Sequence, residues 1–317
     1  MKAPLIHIGY HKTATSWLQI HLFGRADRGF FPLAPEGAEQ GKHSAKYLAR
    51  LFFRDSDNKL LSPFLDRTEE IQNFVSRLNI PLNKVPVISS ERLCGTPHGG
   101  GFDAPIVAHR IYKAFPHAKI LIVLREQAEA VVSTYYLHLK SGACDSFDDF
   151  LNREYDGRMP VFSSEHFCYH RLIDLYQSLF GPSNVRTMLY EDFKNRPREF
   201  IKEISIFSGA EIPENLDFEK RENENRERYI LELTRNLNML RVKHSLNSYS
   251  PFACSLNRRI IDLVRKQISF FPLSKKQQAV FEGHKIKVLE KFGSKFSESN
   301  RISCSLTGLD LVGHGYV

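Results

Sequence analysis

The chain has 317 residues, of which 42% are hydrophobic and 25% charged. This is an ordinary globular composition, and the length suits one large domain or two small ones. No run approaches about 18 uninterrupted apolar residues, and residues 1–5 lack the apolar stretch of a signal peptide. We therefore expect a non-secreted, cytoplasmic protein without a transmembrane segment. The formal charge of +8 favours an anionic partner such as nucleic acid, an acidic polymer or a doubly phosphorylated cofactor.

The distribution of charge and the spacing of the cysteines limit which partners and which kinds of site we expect. Basic and acidic residues are mixed, most clearly in the run 219–228, which lacks the one-sided stripe of a nucleic-acid surface. We interpret this run as a solvated helix face and expect no nucleic-acid partner. The cysteines are odd in number, widely spaced and without a C-x-x-C pair, so we expect buried free thiols, no disulfide framework and no metal. They are Cys94, Cys144, Cys168, Cys254 and Cys304.

The first predicted strand, residues 5–9, leads into a loop suited to phosphate. The loop is followed by a helix that we expect to start near Thr15. The first amides of a helix lack internal acceptors and lie at its positive dipole end, so they bind phosphate well. Lys12 adds a charge, and Thr15 and Ser16 add hydroxyl donors. The alternative is an ordinary strand-to-helix turn in which Lys12 is solvated.

A second buried strand, residues 85–89, ends just before Glu91. In a parallel sheet the ligand crevice lies beyond the carboxyl ends of the strands, so Glu91 is expected to open toward the crevice. Residues 95–102 follow directly and are rich in glycine. They predict either a flexible loop that closes over a substrate or a simple connection.

The third strand, residues 119–124, ends at Arg125, and a helix follows through residues 128–137. Ser133 lies eight residues after Arg125, about two helical turns along and near the same face. Arg125 and Ser133 are therefore candidates to hold one anion together. A fourth strand, residues 185–190, ends in the segment Tyr190-Glu191-Asp192, whose carboxylates are expected to pair or cap and not to catalyse.

Helical periodicity separates and follows these strands. Apolar residues at three and four spacing predict helices near 71–78, 106–115 and 200–207, and strand-helix alternation is typical of a parallel sheet covered on both faces. From about residue 222 the pattern is mainly helical. One apolar face contains Ile230, Leu233, Leu237 and Leu240, and a second helix is predicted near 259–268. We predict a single domain, 1–317, with a sheet core at about 4–207 and a helical part at about 222–300.

The loop and the two anion-binding candidates resemble the PAPS-dependent sulfotransferases, where PAPS is 3′-phosphoadenosine-5′-phosphosulfate. Residues 11–19, HKTATSWLQ, resemble the family's P-K-[ST]-G-T-[TS]-W-L-Q loop, and the R-x7-S spacing and the Y-E-D segment also match. The resemblance covers residues 4–207 and is closest to bacterial and carbohydrate-type members. It implies a three-layer α/β fold, the P-loop NTPase-like sulfotransferase fold, with PAPS as cofactor and PAP as product.

The resemblance also implies residue roles. Lys12 contacts the bridging and sulfuryl oxygens and stabilises charge during in-line transfer, and Trp17 lies near the adenine. Ala14 replaces the family's glycine, and a positive φ there costs on the order of 1 kcal/mol. The residues implied to hold the 5′-phosphate are Thr13, Ala14, Thr15 and Ser16, and those implied to hold the 3′-phosphate are Arg125 and Ser133.

Glu91 is the expected general base, because bacterial and Golgi-type carbohydrate sulfotransferases have a glutamate after this strand. His138 and His11 are the reserves, and a salt bridge between Glu91 and Arg92 is the structural alternative. Glu91 favours a sugar or polysaccharide hydroxyl as acceptor. The alternative acceptor is a small phenol or lipid headgroup in a cleft lined by the aromatic residues Tyr135, Tyr136 and Phe102.

Two other functions remain open from sequence. A P-loop kinase-like phosphotransferase shares the sheet and the Lys-Thr loop, but its motif requires a glycine where this chain has His11. A non-catalytic PAP- or polyanion-binding module would use Lys12, Arg125 and Ser133 without any base.

Overall fold

The computed structural model describes residues 2–53, 64–152, 154–155, 159–212, 216, 218, 224–240, 256–268 and 275–317. Cys254 and residues 219–223 therefore lie outside the described residues. The strands are β1 (Leu5–Gly9), β2 (Phe30–Pro32), β3 (Val85–Ser89), β4 (Lys119–Leu124), β5 (Glu154–Tyr155), β6 (Met159–Pro160) and β7 (Val185–Leu189).

Helices connect these strands and cover the sheet. They are α1 (Thr15–Leu18), α2 (Lys42–Lys46), α3 (Arg50–Phe53), α4 (Thr68–Ser76), α5 (Ala104–Ala114), α6 (Gln127–Ser141), α7 (Phe147–Asn152), α8 (Tyr169–Phe180), α9 (Tyr190–Asn195), α10 (Pro197–Ser208), α11 (Glu224–Leu233), α12 (Leu256–Ile268) and α13 (Lys275–Thr307). A π-helical segment, Gln19–Phe23, continues α1. Short 3₁₀ turns include Glu91–Cys94, Ser164–Phe167 and Arg235–Leu240.

Within the described ranges, five strands form one parallel sheet in the order β2-β3-β1-β4-β7. The register pairs His7 with Ser89 on one side of β1 and Gly9 with Val123 on the other. The carboxyl ends of β1, β3 and β4 therefore meet at one edge of the sheet. β5 and β6 form a separate antiparallel pair.

Side chains alternate between two buried layers, one on each face of the sheet. Ile120, Ile122 and Leu124 of β4 pack into the layer that contains residues of α5, α6, α8 and α13. Leu121 and Val123 pack into the opposite layer, with residues of α1 and α10. A strand buried on both faces reads as a continuous apolar run, which is why β4 is recognisable in the sequence.

The predicted three-layer α/β architecture is confirmed. The four predicted strands and the helices near 71–78, 106–115, 200–207 and 259–268 are all present. The short edge strand β2 was not predicted, because Phe-Phe-Pro is too short to show a period. The division of the chain into domains stays a prediction.

The apolar residues of segment 230–240 do not form the single helical face that the sequence predicted. The α-helix ends at Leu233 and a 3₁₀ turn follows, so the face set by helical spacing is not maintained. Leu233 and Leu240 are exposed, whereas Thr234 and Asn238 are buried. Asn238 donates two side-chain hydrogen bonds to backbone carbonyls at the end of α6, which explains its burial. Across the described ranges, none of the helices combines the length and apolar character needed to cross a bilayer.

Candidate active site

The loop after β1 has an unusual backbone. Lys12 and Ala14 have positive φ values of 68° and 59°, and Ala14 is the N-cap residue directly before α1. Left-handed residues turn neighbouring N–H groups to a common side and so create a concave anion site. The Ala14 cap makes no side-chain hydrogen bond to the first turn of α1. This loop, residues 9–16, is called the phosphate loop below.

Gly9, Thr13 and Thr15 form the buried side of the phosphate loop. Thr13 is fully buried, and its hydroxyl donates to the Tyr10 carbonyl over 2.6 Å. Its Oγ1 lies 3.3 Å from that of Thr15. A Cβ on Gly9 would lie 2.5 Å from Thr15 Oγ1, so only glycine allows this packing.

Ser16 is exposed and Trp17 partly buried, in contrast to the buried Thr13 and Thr15. The Ser16 hydroxyl accepts a hydrogen bond from Lys42 Nζ over 3.1 Å. The Trp17 ring is stacked on Phe218, with 5.1 Å between centroids and 15° between planes, and also contacts Phe193. These rings form an aromatic wall next to the phosphate loop, which is a surface suited to a nucleobase.

Arg125 is buried and linked to the phosphate loop. Its Nη1 donates to the Lys12 carbonyl over 2.9 Å, and its Nη2 donates to Glu129 over 2.6 Å. The guanidinium also lies over the Tyr190 ring, 4.8 Å from its centroid. The side chain of Glu126 caps the following helix by accepting from two backbone N–H groups, which fixes the turn that presents Arg125.

Ser133 has a partner that the sequence analysis missed. Arg228 of α11 is buried, and its Nη2 donates to Ser133 Oγ over 2.8 Å. The guanidinium also lies 4.7 Å from the Phe281 ring centroid. The interpretation of residues 219–228 as a solvated face was therefore wrong at Arg228. The neighbouring residues in the sequence are also charged, so only the tertiary contact identifies Arg228 as buried.

Glu91 pairs with Lys46 and not with Arg92. Lys46 Nζ donates to Glu91 Oε1 over 2.5 Å, whereas Arg92 bonds Asp103. Burial by itself tends to raise the pKa of Glu91, but the Lys46 ammonium outweighs it and holds that pKa at about 2. Sequence reasoning missed Lys46, because α2 lies between strands and carries no motif.

Two neutral histidines flank this ion pair. Burial lowers the pKa of His7 to about 3 and that of His11 to about 4, although the charge of Glu91 acts in the opposite direction. His7 Nε2, His11 Nδ1 and Glu91 Oε2 are inaccessible atoms without a hydrogen-bond partner. Buried polar atoms in this state are suited to receive a hydroxyl or water that the protein itself does not supply.

The glycine-rich segment is fastened at both ends. Asp103 accepts from the backbone and hydroxyl of Thr96 and from Arg92. The Gly100 backbone packs so closely on Ser163 that a Cβ would lie 2.6 Å from it. The segment is a folded loop, and Phe102 at its end is exposed.

The other predicted residues lie in the packed interior. His138 Nε2 and Asp145 Oδ2 are 2.7 Å apart in a buried pair, which gives this histidine a structural contact. Tyr135 and Tyr136 are buried among aromatic rings of α7 and α13, so the expectation that they line an acceptor cleft was wrong. Helix α6 is buried on all its sides from Ala130 to Tyr136, so helix spacing could not separate core positions from cleft positions.

Glu191 and Asp192 fasten the C-terminus to the sheet. Glu191 accepts from the Glu126 backbone N–H and from the Tyr316 hydroxyl. Asp192 pairs with Arg196 and with the ring of His314. These contacts agree with the non-catalytic role expected for the carboxylates.

A known protein family matches most of this chain. A family model described as the sulfotransferase domain matches residues 3–259. No curated protein matches the chain significantly. Similar solved structures include a sulfotransferase from Alicyclobacillus acidocaldarius, with 17% identity, 82% of this chain and 100% of that chain covered, and a TM-score of 0.45.

Two further solved structures are comparably distant. The sulfotransferase domain from the curacin biosynthetic pathway has 14% identity, covers 89% of this chain and 97% of its own, and gives a TM-score of 0.42. A mouse sulfotransferase complexed with PAP has 15% identity, covers 96% of this chain and 88% of its own, and gives a TM-score of 0.39.

The family assignment does not depend on those distant structures. The family model extends from β1 into α12 and so includes the phosphate loop, Arg125, Ser133 and Arg228. The expected sulfotransferase fold is confirmed, and the chain belongs to the sulfotransferase domain family, whose activity is sulfuryl transfer.

Proposed function

We propose that this protein transfers a sulfuryl group from PAPS to an acceptor hydroxyl, with a sugar or polysaccharide as the favoured acceptor. The observation that carries the proposal is the phosphate loop. Positive φ at Lys12 and Ala14 creates a concave N–H surface at the start of α1, next to a lysine. PAPS supplies the sulfuryl group, and no metal is needed in the proposed reaction.

The phosphate loop is proposed to hold the 5′-phosphosulfate. Backbone N–H groups of Thr13 to Ser16 bind the 5′-phosphate, and Lys12 neutralises charge on the bridging and sulfuryl oxygens. The adenine is expected against the aromatic wall formed by Trp17 and Phe218, whose stacked rings are a surface for another flat ring. Ala14 adopts the left-handed conformation that the family's glycine would favour, so the substitution is compatible with the loop.

Two arginines are proposed to hold the 3′-phosphate. Arg125 and Arg228 are both buried at 6% exposure, and Arg228 already donates to the Ser133 hydroxyl. A phosphate carries several acceptor oxygens and matches the fork of a guanidinium. Glu129 now accepts from Arg125 and Lys285, so a bound phosphate would compete with this carboxylate for the arginine.

Glu91 is proposed as the general base toward the acceptor hydroxyl. Its Oε2 has no hydrogen-bond partner, and neither has Nε2 of the neutral His7, whose pKa the charge of Glu91 affects. A hydroxyl nucleophile would give these atoms a donor. The low pKa keeps Glu91 ionised but weak as a base, so its contribution is mainly to orient and polarise the acceptor.

The test is calorimetric titration with PAP, ADP and 5′-AMP in the absence of metal. We expect PAP to bind at least about tenfold more tightly than ADP, because only PAP has a 3′-phosphate. Arg125→Ala and Arg228→Gln should remove that preference, whereas Arg235→Gln, at the start of the 3₁₀ turn after α11, should keep it. Thermal unfolding of each variant checks that it is folded.

Other outcomes would contradict the proposal. A metal-dependent preference for ADP would indicate a kinase-like phosphotransferase. Tight PAP binding without turnover of PAPS on a panel of sugars, phenols and lipids would indicate a binding module. A preference for PAP that survives both arginine substitutions would remove these residues from the 3′-phosphate site.

A further inference from the structure

Three metal-ligating side chains from distant parts of the chain meet beside the phosphate loop. His11 belongs to that loop, Cys94 ends the 3₁₀ turn that begins at Glu91, and His166 lies in the 3₁₀ turn before α8. One nitrogen from each histidine and the Cys94 sulfur all lie within 4.8 Å of one another. The distance between Cys94 Sγ and His166 Nε2 is 4.0 Å.

The surroundings of the three side chains are closed and fixed. Cys94 is 1% exposed and His166 is 6% exposed. His11 is partly buried as a residue, but its Nδ1 is inaccessible and has no hydrogen-bond partner. A Cβ on Gly101 would lie 2.5 Å from His166 Nδ1, so this imidazole is held against backbone and cannot easily turn away.

We propose that His11, Cys94 and His166 form a binding site for Zn²⁺. One thiolate and two imidazoles are a ligand set that Zn²⁺ accepts, whereas Mg²⁺ and Ca²⁺ require oxygen ligands. Zinc bonds of about 2.0–2.1 Å to nitrogen and about 2.3 Å to sulfur set donor separations of about 3.4–3.6 Å in a tetrahedron. The Cys94–His166 separation of 4.0 Å exceeds that spacing by about 0.5 Å, and the two separations to His11, which are no more than 4.8 Å, exceed it by about 1.4 Å at most.

Binding changes the protonation of Cys94. The thiol now donates to the Glu91 carbonyl over 2.9 Å. On binding, the S–H bond breaks, the sulfur lone pair forms the zinc bond, and one proton leaves to the solvent. The histidines bind through lone pairs and release no proton.

The zinc site lies between two parts of the proposed active site, the phosphate loop and the turn that carries Glu91. Zinc binding itself does not require that the protein transfers sulfuryl groups. A metal on His11 and Cys94 connects the phosphate loop to the turn that carries Glu91. Metal bound to the folded state alone stabilises that state by mass action. Zn²⁺ is therefore expected to raise the unfolding temperature. The sequence contains no zinc motif, because the ligands come from separate loops.

The test uses Co²⁺ and Zn²⁺ on the full chain after removal of metal under reducing conditions. We expect one equivalent of Co²⁺ to give a thiolate charge-transfer band that Zn²⁺ removes, and Zn²⁺ to raise the unfolding temperature. Cys94→Ser should lose the band and weaken Zn²⁺ binding by about a hundredfold or more, since even outer-shell partners account for about 10–100-fold. Cys304→Ser, a partly buried cysteine on α13, is the matched control and should keep both effects.

If Cys94→Ser does not fold, His11→Asn provides the second test, because the His11 side chain is only partly buried. It should weaken Zn²⁺ binding while circular dichroism stays that of the wild type. Absence of a stoichiometric thiolate band in the wild type would overturn the proposal. So would Zn²⁺ binding that is unchanged in a folded Cys94→Ser or His11→Asn variant.

Discussion

At the scale of single residues, the pKa of Glu91 is lowered by its partner Lys46 in spite of the opposing effect of burial. A buried carboxyl without a counter-ion has a raised pKa, yet Lys46 holds that of Glu91 at about 2. The pair lies beside two histidines that are neutral because burial lowers their pKa values. Glu91 therefore remains ionised throughout the physiological range of pH.

This arrangement makes a prediction for Lys46→Met. If Glu91 is the base, kcat/KM of the wild type should not fall on the acid side until well below pH 4.5, the ordinary pKa of glutamate. Removing Lys46 leaves burial as the main influence, which raises the pKa of Glu91. The acid limb of the kcat/KM profile should then move to higher pH.

Lys113→Met is the control, because Lys113 pairs with Asp66 at the exposed surface. Its profile should match that of the wild type. Glu91→Gln should abolish transfer and leave PAP binding intact, whereas Lys12→Ala should weaken both. An unchanged profile in Lys46→Met, or normal turnover in Glu91→Gln, would show that another group accepts the proton.

At the scale of elements, the four longer strands could be predicted from the sequence. The position of the phosphate loop, between β1 and the helix that starts at Thr15, could also be predicted. β1, β3 and β4 are mainly apolar and buried on both faces, whereas β7 contains the exposed Arg186 and is apolar mainly at its ends. The strained backbone of the loop was anticipated at Ala14 but not at Lys12, which has the larger positive φ. Lysine has no preference for the left-handed conformation, so a lysine at position 12 does not indicate a positive φ.

The conformation of Ala14 predicts an unusual response to glycine. Left-handed backbone costs alanine about 1 kcal/mol or more, which Ala14→Gly removes. Glycine also gains unfolded-state entropy worth about 0.4–1 kcal/mol, so the net change in unfolding free energy should be near zero or slightly stabilising. Urea unfolding measures this difference.

Ala279→Gly, at an exposed position of α13, is the matched substitution and should destabilise by about 0.5–1 kcal/mol. If the two variants lose the same stability, the left-handed conformation of Ala14 carries no measurable strain.

At the scale of the whole molecule, several buried histidines are neutral in the folded state. Burial lowers the pKa of His7 to about 3 and those of His11 and His284 to about 4, from an ordinary value of 6.5. The unfolded chain takes up protons on these groups below about pH 6.5, whereas the folded chain does so only near pH 4 and below. Stability is therefore fully present above pH 6.5 and is lost as the pH falls toward 4.

The expected result is an unfolding temperature that decreases steadily between about pH 6.5 and pH 4. His284→Phe should reduce this decrease, because phenylalanine can keep the stacking on Phe147, whose ring centroid lies 4.1 Å away, and cannot take up a proton. The exposed His109→Phe is the control and should leave the decrease unchanged. An equal decrease in wild type and His284→Phe would contradict the role of His284.

The sequence by itself determined the four longer strands of the sheet, the helices around it and the loop proposed to bind phosphate, because these depend on local periodicity and on a short contiguous motif. Only the tertiary structure decided which charged groups are paired. Lys46 with Glu91 and Arg228 with Ser133 join segments 45 and 95 residues apart. The same holds for the meeting of His11, Cys94 and His166. Such contacts follow from strand order, helix packing and burial, and no local pattern encodes them.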